Sequence, residues 1–176
     1  EDEGQTWAIR GSVDMPDRQF DEHMIVERRD GTLWMLVRTN YGIGESLSHD
    51  RGRTWSPGHD SGLGGPASRF FIRRLQSGRL LLVNHYHYTG RNNLTAMLSD
   101  DDGGSWTGRL VLDERDQVSY PDGVQAPDGQ IYVIYDRERH QAREILMAVI
   151  REEDILAGHC VSQGARLRVL VDKIAP

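Results

Sequence analysis

A lone cysteine, Cys160, means that no intrachain disulfide framework holds this chain together, and it leaves the redox compartment open. Long apolar runs are also lacking. Leu33 to Val37 and Ile145 to Ile150 are strand-sized and far too short to cross a bilayer as helices. Glu1-Asp2-Glu3 does not resemble a secretory leader, although a leader upstream stays open, so the localisation is unknown. Positive charge is not in excess: the formal net charge is −6 and the pI is about 5.6. That balance argues against wholesale binding of nucleic acid or of an anionic membrane, and neither is expected as a partner. Any basic chemistry has to be local. An apolar fraction of 38% across 176 residues is enough for the core of one domain.

What is present is a repeat. Ser48-His49-Asp50-Arg51-Gly52-Arg53-Thr54-Trp55 and Ser99-Asp100-Asp101-Asp102-Gly103-Gly104-Ser105-Trp106 both read S-x-D-x-G-x-[ST]-W. Asp2-Glu3-Gly4-Gln5-Thr6-Trp7 is a third copy that lacks only the leading serine. The tryptophans recur 48 and then 51 residues apart, a period that points to propeller blades. In this Asp-box motif, Ser and Asp side chains bond nearby backbone N–H groups and Gly supplies a left-handed turn, while the Trp is expected to staple the hairpin to its sheet. A second series, Asp30-Gly31, Ser77-Gly78 and Asp128-Gly129, lies between apolar runs as hairpin turns.

These turns predict an all-β chain of three four-stranded blades, spanning 22–58, 68–112 and 119–171, with 1–13 as the end of a preceding blade. With strands labelled A to D, the first blade has A at 23–29, B at 32–38, C at 43–48 and a short D. The second has A at 69–75, B at 79–86, C at 93–99 and D at 108–112. The third has A at 121–126, B at 130–135, C at 144–150, a helical turn at Glu152 to Leu156 and D at 166–171, while 8–13 is an orphan D strand. In such a blade the A–B and C–D turns share one edge, so the Asp boxes lie together. The B–C and D–A connections share the other. Glu22, Arg38, Ser68, Arg69, His85, Arg91, Tyr120 and Asp136 flank that opposite edge, at the mouth of the channel where propellers place ligands.

Several other features read as structure. Arg28-Arg29 and Arg73-Arg74 fall near the Asp-box edge and are most simply solvated charge. Asp100-Asp101-Asp102 does not fit a calcium loop, since Val111 stands where the twelfth-position Glu should be. His85 and His87 share a strand face but lack a third ligand, so no metal and no cofactor are expected.

The chain resembles the C-terminal half of the sialidase (neuraminidase) superfamily over nearly its whole length. Asp21-Glu22-His23-Met24-Ile25-Val26-Glu27 followed by Leu33-Trp34-Met35-Leu36-Val37-Arg38 is similar to the segment that carries the family's catalytic glutamate and a carboxylate-binding arginine. Gly90-Arg91-Asn92-Asn93-Leu94-Thr95 resembles the source of another triad arginine, and Ser119-Tyr120-Pro121-Asp122 the segment of the nucleophilic tyrosine. Asp136 stands where the family has a glutamate that braces the first triad arginine. The resemblance implies a β-propeller of sialidase type, about three blades of a six-bladed ring. It implies Tyr120 and Glu22 as catalytic pair, Arg38 and Arg91 as substrate ligands, and Arg69, His85 and Asp136 as second-rank contacts. The chemistry is coherent: the substrate's anomeric carboxylate would repel a carboxylate nucleophile but not a tyrosine hydroxyl. Tyrosine needs a base, and guanidinium groups pair with carboxylates in a way lysine does not reproduce.

The family's first triad arginine and its acid/base aspartate belong to N-terminal blades that this sequence does not contain. The expected partner is a sialoglycan or other acidic sugar, attacked by an exo-acting hydrolase. A hydrolase or lyase for another acidic glycan, and a non-catalytic carbohydrate-binding or assembly propeller, stay open. Three blades leave open flanks, so the sequence reads as a fragment, with a homodimer closing the ring as the other alternative.

Overall fold

The computed structural model describes residues 2–174. In chain order the elements are β1 (Arg18–Glu27), β2 (Leu33–Thr39), β3 (Gly42–Ser48), β4 (His59–Asp60), β5 (Phe71–Arg74), β6 (Leu80–His85) and β7 (Leu94–Ser99). There follow β8 (Thr107–Asp113), β9 (Val118–Gln125), β10 (Ile131–Arg137), β11 (Glu144–Ile150), α1 (Glu152–Ala157) and β12 (Arg166–Lys173). They form three four-stranded antiparallel sheets, β1 to β4, β5 to β8 and β9 to β12, each in sequential order. These are three blades of a β-propeller.

The middle blade explains the most apolar stretch of sequence. β6 is buried along its whole length, because it is covered on both faces. Leu80 and Leu82 join Trp34, Leu36, Ile43, Phe70 and Ile72 in the core between the first and second blades. Leu81 and Val83 point the other way, into the core with Val118, Val133, Tyr135, Leu146 and Ala148 of the third blade. Strand alternation with both faces packed gives a continuous apolar run. In the second interface Asp113 is fully buried, and its charge is met by Arg115 at 2.6 and 2.9 Å and by the Tyr135 hydroxyl at 3.1 Å.

Both complete Asp boxes form the expected turn. Ser48 Oγ lies 2.9 Å from Asp50 Oδ1 and accepts from Gly52 N at 2.8 Å, while Asp50 accepts from Thr54 N at 2.8 Å and Thr54 Oγ1 at 2.7 Å. Ser99, Asp101, Gly103 and Ser105 repeat this pattern. Bonds from the Thr54 backbone and hydroxyl hold the Asp50 carboxyl at about 2, and bonds from the Ser105 hydroxyl and backbone do the same for Asp101.

The chain departs from the sequence expectation in three places. Residues 8–13 form no strand, although Gly11 lies against the backbone carbonyls of Gly52 and Arg53, and Trp7 is 90% exposed, so it staples nothing. Instead the chain runs past the first blade, and Met15 buries itself beside Gly44 and Gly58. β1 and β9 start earlier than expected, at Arg18 and Val118, because each opens with a bulge that breaks the period-two pattern. Finally, Arg29 and Arg74 are not merely solvated. Arg29 bonds Gly78 O at 2.9 Å, and Arg74 joins Glu27 O at 2.7 Å and Asp102 at 2.8 Å, so both tie the first two blades together.

Candidate active site

The two bulges set the geometry of the rim. Pairing along β1 and β2 jumps from Arg18 opposite Thr39 to His23 opposite Val37, and along β9 and β10 from Ser119 opposite Asp136 to Asp122 opposite Ile134. Glu22 and Tyr120 sit within these irregular stretches, and Phe20 and Tyr120 take left-handed backbone, with φ of 60° and 56°. Bulky residues rarely adopt that conformation, and they do so where the surrounding structure over-determines it. Here it accompanies the meeting of Tyr120 with Glu22 across two sheets.

The ends of the B strands supply the second layer. Arg38, His85 and Asp136 are equivalent residues of the three blades: each follows its hairpin glycine, Gly31, Gly78 or Gly129, at the same distance. Each also pairs with the first apolar residue of strand C, namely Ile43, Leu94 or Ile145. Arg38 is only 3% exposed. Its Nη1 donates to Glu22 Oε2 at 2.7 Å and lies 3.2 Å from the Tyr120 hydroxyl, and its Nη2 donates to Ala67 O at 2.7 Å. The Tyr120 hydroxyl donates to the other Glu22 oxygen, Oε1, at 2.6 Å. Burial would raise the Glu22 pKa, yet the Tyr120 and Arg38 bonds prevail and hold it below its ordinary value. Glu22 is therefore an ionised acceptor already aimed at the tyrosine proton.

Arg91, on the β6–β7 connection, donates from Nη2 to the same Ala67 carbonyl at 3.1 Å. Burial, followed by the nearby charges of Arg38 and Arg139, pushes its pKa down. Crowded guanidinium groups of this kind favour an incoming anion. A cavity of about 330 Å³ opens beside them, lined by Arg91, Gln117, Ser119, Glu138, Arg139 and His140 among others, within the range of ligand pockets. A larger cavity of about 450 Å³ lies at the Asp-box edge, but its Arg29 and Asp102 are engaged in the inter-blade bonds.

The second-rank residues are placed differently. Arg69 pairs with Asp122 at 3.5 Å on the rim, close enough for its charge to act on Glu22. His85 is 2% exposed and supports the Arg91 connection from below: Nδ1 donates to Asn92 O at 2.8 Å. Burial brings its pKa down to about 4, so it is neutral, and Nε2 is a buried lone pair without a partner among the described residues. Asp136 braces neither Arg38 nor Arg91. It accepts from Ser119 Oγ at 2.7 Å and from Arg139 Nε. Arg139 is the residue that sequence reading missed. Its guanidinium carbon stands 3.9 Å from the centre of the Tyr120 ring. Its position in a B–C connection, the same kind of loop that carries Arg91, was the available signal, masked by the charged run Arg137-Glu138-Arg139.

Repeated Asp-box blades with an Arg-Glu-Tyr rim define a partial propeller of the sialidase-like BNR class. The chain belongs to the BNR repeat-like domain family, whose model matches residues 1–133. Among solved structures it is similar to the NanB sialidase of Streptococcus pneumoniae, at 22% identity and a TM-score of 0.71 over 88% of this chain and 27% of that one. The intramolecular trans-sialidase of Ruminococcus gnavus is 21% identical, with a TM-score of 0.68 over 92% of this chain and 38% of that one. An α-L-arabinanase of Penicillium chrysogenum follows at 18% identity and a TM-score of 0.57, covering 88% and 50%. At these identities the likeness is one of fold, and the chain spans at most half the length of these three proteins. No curated protein matches the sequence.

Proposed function

We propose that this chain carries the nucleophile half of an exo-α-sialidase-like glycoside hydrolase, which releases a terminal sialic acid or related acidic sugar with retention. The supporting observation is the triad in which the Tyr120 hydroxyl is bonded to Glu22 and Glu22 to Arg38. Arg38 and Arg91 receive the substrate carboxylate. The Tyr120 oxygen bonds the anomeric carbon as its proton passes to Glu22. The bond to the aglycone breaks, its electron pair leaving on the aglycone oxygen, which takes a proton from a carboxylic acid outside the three sheets. Water then attacks the anomeric carbon, losing its proton to that same group, and the phenol recovers its proton from Glu22. The test is release of a fluorogenic sialoside by the full-length gene product. Loss of release in Tyr120→Phe is expected, and wild-type release in that variant contradicts the assignment.

A second reading, binding of an acidic sugar without turnover, is favoured by one observation. The rim carboxylates Glu22, Asp122 and Asp136 are each paired with an arginine, namely Arg38, Arg69 and Arg139, so none is an obvious proton donor. Sialoside binding without release by the full-length product would select this reading. The substrate range of a related hydrolase or lyase is separated by a panel of uronic-acid glycans.

A further inference from the structure

We propose that Arg139 is a positioning residue for Tyr120. Laid against the face of its ring, it fixes the phenol and favours the negative charge that grows on its oxygen during attack and again when the phenol departs. The inference rests on the hydrolase reading above. Three observations carry it. Arg139 lies over the ring at 3.9 Å. Asp136 and Ser119 hold it there from the far side, with Ser119 Oγ at 3.3 Å from Nη2. The left-handed backbone of Tyr120 fixes the direction of the ring that Arg139 meets. A surface arginine paired with an aspartate three residues earlier has no need to cover an aromatic ring. A cation on a ring face is attracted more strongly as the ring becomes electron-rich.

The charged groups around the phenol come from four elements. Glu22 on β1 accepts its proton, and Arg38 on β2 stands 3.2 Å from its oxygen. Arg139 on the β10–β11 connection covers the ring, and Arg91 on the β6–β7 connection lies near enough to feel its charge. Arg38 is bound by Glu22 at the oxygen end. Arg139 is the one cation placed against the ring face among the described residues. It touches no substrate in this role and acts through Tyr120.

The first test needs no turnover. Tetranitromethane attacks tyrosine through its phenolate, so nitration of Tyr120 is followed by peptide mass in the folded full-length protein, with Tyr132 as internal control. Arg139→Gln is expected to slow the reaction at least threefold, a factor within reach of one cation–π contact. An unchanged or faster rate overturns the proposal, since removal of a mere cover exposes the ring. Should Arg139→Gln fail to fold, Arg139→Lys decides. It keeps the charge without the plane and is expected to react at or below the wild-type rate, and a faster rate overturns the proposal. The second test uses sialoside turnover. In Arg139→Gln, kcat is expected to fall about tenfold while inhibition by a non-cleaved sialic acid analogue is unchanged. A parallel loss of inhibitor binding overturns the positioning role and makes Arg139 a substrate ligand. If the wild-type protein releases no sugar, the hydrolase reading fails, whereas the nitration rates still decide the role of Arg139.

Discussion

The hydroxyl of Tyr120 lies 2.6 Å from Glu22 Oε1, although 98 residues separate them and they belong to the first and third blades. Only the curvature of the blade arc brings two innermost strands this close. Arg38 completes the contact from beneath, so three side chains from two sheets share one proton and one positive charge. In the proposed chemistry Glu22 is the base. Glu22→Gln is expected to lower kcat about a hundredfold or more, in the range of general-base losses, with little change in KM. Because the Glu22 pKa lies below its ordinary 4.5, the acid limb that it sets in the wild-type pH profile should fall below pH 4.5.

In the proposed chemistry Arg38 serves both stability and binding. Its removal leaves a partly buried Glu22 without its bonded counter-charge and the Ala67 carbonyl without its stronger donor. Arg38→Met is expected to cost about 3 kcal/mol in denaturant unfolding, the lower end for breaking a buried pair. Arg38→Lys should recover part of the stability but not the sialoside affinity, because an ammonium cannot offer a planar pair of donors.

Gly103 tests the packing of blade on blade. Its φ is +94°, and a Cβ there would meet the Trp34 ring of the preceding blade at 2.5 Å. Trp34 is itself buried and bonded to Glu45 at 2.6 Å, so it has no easy retreat. Gly103→Ala is expected to lower stability by about 2–3 kcal/mol through overpacking and strained backbone. Gly31→Ala, with nothing near its Cβ position, should cost less, its strain coming from φ alone. Thermal unfolding of the two variants makes the comparison.

Acid should loosen the Asp-box edge. Asp50 and Asp101 are held at about 2 in the folded chain, down from 3.8. A depressed carboxyl contributes stability that is present above its unfolded pKa and lost as pH falls through its folded pKa. The unfolding midpoint should therefore fall between about pH 4 and pH 2. Asp50→Asn should flatten that fall, and an equally steep fall in the Asp50→Asn, Asp101→Asn double variant would contradict the role given to these two groups.

The blades were legible in sequence because their signals are local. Asp50 and Asp101 form their turns within a few residues, and the run Leu80 to Val83 announces a strand packed on both faces. The resemblance and the strand directions single out Arg38, Glu22, Arg91 and Tyr120, and the structure sets Arg38 beside the other three. The bulges at Phe20 and Tyr120 were not legible, since left-handed backbone at a bulky residue is imposed by tertiary context. Nor was the role of Arg139, whose contact with Tyr120 depends on how a loop folds back across the third blade. The strand expected at 8–13 was inferred from the repeat alone, and the segment passes the backbone of Gly52 and Arg53 without joining a ladder.

The central claim is that Tyr120 becomes covalently bonded to the sugar. The most direct measurement treats the full-length protein with a fluorinated sialosyl donor, whose adduct hydrolyses slowly, and maps the added mass by peptide sequencing. The account predicts one sugar on the peptide that contains Tyr120, and none in Tyr120→Phe. Sialoside turnover with no adduct on that peptide, or with the adduct on a carboxylate, contradicts it.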